Sequence, residues 1–183
     1  MVTSEEIPPN SFYPNLQDHQ VTVGFGWNAG IIDALVRQSK KEAEIKKHFP
    51  RDYYGRFKDS EAASKWFEED PTLAFYTLTL VGAAGLAAVA WASEREKVPD
   101  TGRTFEMRAY EAIEGRSRRE IAVGFGNAVL AHLENTVYDG ALGLKTDDED
   151  PNRRIYEDLG FHRVGKPTGP QVRMVRPALT GRY

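Results

Sequence analysis

NRRIYEDLGFHRVG, Asn152 to Gly165, decides how the rest of the chain is read. It has the pattern of a short polar helix from Asn152 to Leu159, a stop at Gly160 and a strand beginning at Phe161. Glycine directly after the last helical residue takes the left-handed conformation without steric cost, and an aromatic that follows can fold back onto the helix. Tyr156 and Leu159 lie three apart and so share a helix face. Arg153, Arg154, Glu157 and Asp158 are left to face water or a ligand. On these residues alone, Tyr156 is better explained by half-buried packing than by chemistry.

Working back toward the N-terminus, Ala141–Thr146 is a strand, followed by the acidic run TDDED. Before it, Ile121, Phe125, Val129, Leu133 and Val137 repeat every four residues on one face, which predicts a long helix to about Val137 with Gly140 after it. Ser117 and Glu120, three apart, form a capping-box pattern that starts this helix at Ser117. Strands are expected at Leu73–Val81, Leu86–Ser93 and Thr104–Ala112, with turns at Gly82–Gly85 and VPDTGR between them. Asp59 or Ser60 caps a helix through Phe67. Val21, Val23 and Phe25 alternate as a first strand, and a helix follows from about Asn28 to His48, with Ile31, Ile32, Leu35, Val36 and Ala43 as its apolar stripe. Residues 1–20, with Pro8, Pro9 and Pro14, have no period and are expected to be a flexible lead-in to a single domain over 21–183. Beyond the glycine stop, strands are expected near Phe161–Val164 and Val172–Val175. The order β α α β β β α β α β β predicts an α/β fold with a mostly antiparallel sheet and one parallel pair across the long helix.

A chain of 183 residues is of single-domain size and long enough to bury roughly 70% of its unfolded surface. The net charge of -3 offers no general attraction to nucleic acid or to an anionic membrane, so phosphate binding would need a local basic cluster. With no cysteine, a disulfide framework, a thiolate zinc site and a cysteine nucleophile are all excluded. No apolar run is long enough to span a membrane and no secretory pattern opens the chain, so a cytoplasmic protein is expected. His19, His48, His132 and His162 show no metal-ligand spacing, and Asp147–Asp150 lacks the spacing of a calcium loop; no metal is expected. Gly24, Gly26 and Gly30 miss the dinucleotide fingerprint by one residue, and no ribose-binding acid follows on a strand.

The run IYEDLGFHRVG resembles the LYxxLGFxxVG signature near the C-terminus of GNAT-type N-acetyltransferases, which use acetyl-CoA. The resemblance is specific over about 14 residues (152–165) and looser over 73–176, and the order of elements is the one that family has. It implies a GNAT-like mixed sheet and transfer of an acetyl group from acetyl-CoA, as co-substrate, to a primary amine of a small molecule, peptide or protein. A homodimer is left open. In the family the tyrosine at the position of Tyr156 often protonates the leaving thiolate.

The cofactor should meet Glu106–Gly126, EMRAYEAIEGRSRREIAVGFG. A helix N-terminus presents unpaired N–H groups and a positive dipole end, which suits a pyrophosphate. Arg116, Arg118 and Arg119 stand at that junction, able to form forked hydrogen bonds to phosphate. The family places R/Q-x-x-G-x-G/A at this turn. With the helix starting at Ser117, Glu114–Arg119 aligns with it, and Glu114 and Ser117 depart from the pattern while Gly115 is kept. Alternatively Gly124 and Gly126 supply the glycines, with Ile121 in the basic position. In the first register Met107 and Ala109 resemble the strand positions whose backbone pairs with pantetheine and polarises the acetyl carbonyl. The family's asparagine seven residues before the tyrosine is Glu149 here, and Asn152 is its nearest substitute.

Acyl transfer needs a base for the amine, a donor for the oxyanion and an acid for the thiolate. Tyr156 is the expected acid, and an N–H near Ala109 or Tyr110 the donor. Glu106 is the expected base, or Glu111 of the cofactor segment through a water; Glu106 could instead be salt-bridged to Arg108 on the same strand face. The rival reading is a GNAT-fold binding or regulatory module that has lost CoA binding, favoured by Glu114 and Ser117.

Overall fold

The structure is a computed structural model, and it describes residues 4–7, 19–25, 32–33, 36–37, 59–70, 72, 74–80, 86–94, 98, 101–109, 118–138, 140–147 and 153–178. The strands are β1 (Ser4–Ile7), β2 (His19–Phe25), β3 (Ala74–Leu80), β4 (Leu86–Ser93), β5 (Arg103–Ala109), β6 (Leu142–Asp147), β7 (His162–Thr168) and β8 (Gln171–Arg176). The helices are α1 (Ser60–Glu68), α2 (Arg118–His132) and α3 (Arg153–Asp158). A π-turn over Leu133–Val137 extends α2. All eight strands form one sheet in the order β1-β2-β3-β4-β5-β6-β8-β7. The β5–β6 pair is parallel; the others are antiparallel. This is the expected α/β sheet with one strand added.

That strand corrects the reading of the N-terminus. Ser4–Ile7 lies antiparallel against β2 at the sheet edge, and β2 begins at His19, so neither segment belongs to a flexible lead-in. Four residues are too few to show a period, and neighbouring prolines masked the strand. Of the helix expected over 28–48, the described residues Ile32, Asp33, Val36 and Arg37 are helical; the remainder, with Tyr53 and Tyr54, lies outside the described residues.

Alternation along β4 divides the core in two. Ala88, Ala90 and Ala92 face α2, where their small side chains let Phe125, Val129 and Leu130 settle against the sheet. Val89 and Trp91 face the other way and receive Ile32, Val36 and the α1 residues Ala63 and Phe67. Trp91 meets Phe67 edge-on at 6.1 Å, a favoured aromatic geometry. Asp59 caps α1, its carboxylate accepting the Ala62 N–H at 2.8 Å; such a cap stabilises by about 1 kcal/mol. Along α2 the expected stripe holds: Ile121, Phe125, Val129 and Leu133 are all fully buried. Among the described residues, no helix is long and apolar enough to cross a membrane.

Candidate active site

The site is built around a parting of two strands. β5 and β6 are paired at Arg103↔Leu142 and Thr104↔Gly143. From there β5 continues along β4 to Ala109, while β6 continues along β8 to Asp147. A wedge-shaped gap therefore opens toward the C-terminal ends of both strands, with backbone of β5 on one side. Gly143 marks its apex. A Cβ there would fall 2.6 Å from Val98 Cβ and 2.8 Å from Thr101 Oγ1, so only glycine lets Val98 and Thr101 close that end.

Helix α3 presents Tyr156 to this gap, and the local sequence fixes how. Gly160 has φ +83°. Its N–H donates to Glu157 O at 3.0 Å, and the Phe161 N–H donates to Tyr156 O at 3.0 Å, which together make a Schellman stop. Phe161 folds back as expected: it is buried, meets the Tyr156 ring edge-on at 6.1 Å and stacks on Phe105 of β5 at 5.7 Å. The half-buried Tyr156 then donates its hydroxyl to the Met107 carbonyl at 3.4 Å. The phenol thus stands at the backbone of β5, beyond the last β5–β6 pair.

Three further contacts hold α3. Ile155 and Leu159 are buried against α2. Gly126 of α2 makes room for Leu159, since a Cβ at Gly126 would lie 2.6 Å from Leu159 Cδ1. Arg176 of β8 donates from Nε to Leu159 O at 3.0 Å and pairs with Glu134 in the π-turn. Desolvation holds the Arg176 guanidinium below the usual arginine value. Sequence reasoning missed this tether, because its partners lie 42 residues apart and neither belongs to a motif.

The gap has two sides. Phe105 and Met107 pack on the α2 and α3 side. Glu106 is opposite Trp91 in the β4–β5 register, so it leaves the sheet on the side that carries α1. Tyr156 and Glu106 therefore approach β5 from opposite faces. Ala109, the last described residue of β5, is paired with Ala88.

Helix α2 is described from Arg118 on, and Ser117, the expected capping-box residue, lies outside the described residues. Gly124 and Gly126 lie inside that helix and are not a phosphate turn. Arg119 is committed to Asp158 of α3, Nε to Oδ2 at 2.9 Å. The Arg118 side chain, and Glu111, Gly115, Arg116, Ser117 and Asn152, lie outside the described residues.

No protein-family model and no curated protein sequence matches this chain. Solved structures do. It is similar to RimL, a ribosomal L7/L12 alpha-N-protein acetyltransferase in complex with coenzyme A, with TM-score 0.62 and 12% identity over 95% of this chain and 98% of that one. It is also similar to spermidine N-acetyltransferase from Vibrio cholerae in complex with CoA and spermine, with TM-score 0.61 and 13% identity over 86% of this chain and 95% of that one. A third is the ribosomal-protein-S5-alanine acetyltransferase from Vibrio fischeri, with TM-score 0.60 and 8% identity over 90% and 95%. The fold is that of the GNAT-type acetyltransferases.

Proposed function

We propose that this chain is an N-acetyltransferase that moves the acetyl group of acetyl-CoA directly to a primary amine. The observation that carries the reading is the Tyr156 hydroxyl at the Met107 carbonyl, beside the gap between β5 and β6. The neighbours' binding of CoA and action on amines support it. Acetyl-CoA would supply a thioester activated toward attack. Met107 and Ala109, on the open side of β5, would pair with its pantetheine arm, and an N–H near Ala109 would meet the charge that grows on the carbonyl oxygen. The start of α2, with Gly115, Arg116, Ser117 and Arg118, would hold the pyrophosphate. Asn152 and Glu111 would lie along the same path.

The amine approaches from the other face, where Glu106 takes its proton. The C–N bond forms as the C–S bond breaks, and Tyr156 gives its proton to the departing thiolate. A cytoplasmic setting, where acetyl-CoA is made and used, accords with this.

Calorimetric titration with acetyl-CoA tests the reading, beside the variant Arg116→Ala/Arg118→Ala/Arg119→Ala. Micromolar binding lost in the variant is expected. A well-folded protein that ignores millimolar acetyl-CoA would instead be a binding module on the same fold. The Arg119–Asp158 pair is the observation favouring that second reading, because it turns one expected phosphate ligand away.

A further inference from the structure

The helices that cover the Glu106 face reach the sheet at β4, where Val89 and Trp91 receive them. Farther along the sheet, register places the residues of that face in rows. Gly143, Val175 and His162 form one row across β6, β8 and β7. Lys145, Arg173 and Val164 form the next. Counting on from the Thr104↔Gly143 pair, Glu106 heads this second row from across the gap.

Lys145 and Arg173 are direct cross-strand neighbours. Cβ atoms so placed are roughly 5 Å apart, and like charges there repel. Lys145 is exposed and Arg173 half-buried, and neither has an ion-pair partner among the described residues. Among the described side chains, the acid in this row is Glu106, across the gap; Asp147 stands two residues on along β6, and its side chain lies outside the described ones. A sheet that sets two cations side by side, at the mouth of the gap and on the acceptor's side, repels cationic acceptors and is relieved by an anion.

We infer that Lys145 and Arg173 form an anion subsite, so that the amine acetylated here carries a carboxylate and is not a polyamine. The inference rests on the acetyltransferase reading above. Paired strands lie about 4.8 Å apart, and β5 and β6 have parted by this row, so with the amine at Glu106 the carboxylate lies at least about 5 Å away. Arg173 offers a planar fork for that group and Lys145 a point charge. The subsite sets which acceptor is taken and leaves the acetyl donor's side untouched.

The test is steady-state acetyl transfer to three matched amines: γ-aminobutyrate, its amide, and putrescine. Each is measured with the unmodified protein, with Lys145→Gln/Arg173→Gln, and with the charge-reversed Lys145→Glu/Arg173→Glu. The acid should exceed the amide in kcat/KM by about tenfold, chiefly through KM, with putrescine lowest. Neutralising the pair should level acid and amide, and reversing it should raise putrescine above both. Acetyl-CoA affinity by calorimetry should be the same in all three proteins. The inference is overturned if putrescine is preferred by the unmodified protein, or if the acid keeps its advantage in the neutral variant. It is also overturned if a protein that binds acetyl-CoA takes none of the three. Loss of acetyl-CoA binding by the unmodified protein instead defeats the acetyltransferase reading, and this inference with it.

Discussion

Gly126→Ala puts the link between the helix pair and the site under direct test. In the interior of α2, alanine is favoured over glycine by about 1 kcal/mol on helix propensity alone. Against that, the new Cβ would stand 2.6 and 2.9 Å from the two methyl groups of Leu159. Carbon atoms prefer separations of about 3.6 Å, so one of the two must retreat by about 1 Å. Leu159 is buried at 2% exposure and closes α3, and crowding of this kind costs roughly 1–3 kcal/mol. The net loss is about 1 kcal/mol. In a Leu159→Ala background, itself destabilised by about 2–5 kcal/mol, the clash is gone and the propensity gain remains. Gly126→Ala should therefore destabilise the parent protein and stabilise the Leu159→Ala protein, with a coupling of about 2 kcal/mol. Urea unfolding of the four proteins reads it. Equal effects of Gly126→Ala in both backgrounds would refute the packing argument.

Tyr156→Phe removes the hydroxyl at the Met107 carbonyl and should lower kcat about 100-fold with acetyl-CoA affinity unchanged, by stopped-flow and calorimetry; retained kcat means another group protonates the thiolate. Arg176→Ala strands the Glu134 carboxylate, 9% exposed, and leaves Leu159 O without its donor, so unfolding in urea should show a loss of about 3 kcal/mol. Asp158→Asn releases Arg119 and should tighten acetyl-CoA binding several-fold at low salt, an effect that vanishes in Arg119→Ala. Burial raises the Tyr76 phenol well above its ordinary 10.0, with Arg103 opposing; the phenol also pairs with His132 Nδ1 at 3.2 Å. Only the unfolded chain then ionises near that pH, so stability is intact below pH 10 and falls above it by up to about 1.4 kcal/mol per pH unit. Tyr76→Phe should flatten that alkaline slope in pH-dependent unfolding.

Local chemistry made most of the elements legible. The glycine stop and the four-residue stripe each act within one or two turns, and each marks its element to within a residue or so. What could not be read locally was why particular glycines are glycine. Gly126 looks like half of a phosphate turn until Leu159 is seen against it, and Gly143 looks like an ordinary strand residue until Val98 and Thr101 close over it. The parting of β5 from β6 was equally hidden. It depends on β6 following β8, and no periodicity within either strand records the choice of neighbour. The Arg119–Asp158 pair was missed for a related reason: both residues were read as facing solvent or ligand, and only the approach of α2 to α3 brings them together.

The wedge gives the two sides of the sheet different duties, and that division follows from backbone geometry before any side chain is chosen. Once β5 loses β6 as a partner, the N–H and C=O groups of Met107 and its alternate neighbours turn toward the gap and need partners there. A hydroxyl from α3 takes one of them, the Met107 carbonyl. An extended amide-bearing chain is the natural complement for the rest, since it can add to a strand edge by main-chain hydrogen bonds. Alternation then sends Met107 toward α2 and α3 and Glu106 to the opposite face, so in the proposed reaction donor and acceptor meet at β5 without competing for one surface. The proposed donor side is walled by α2, α3 and Phe161. On the proposed acceptor side, Glu106, Lys145 and Arg173 are the charged residues of the row beside the gap, which is why selectivity for the amine should be written there.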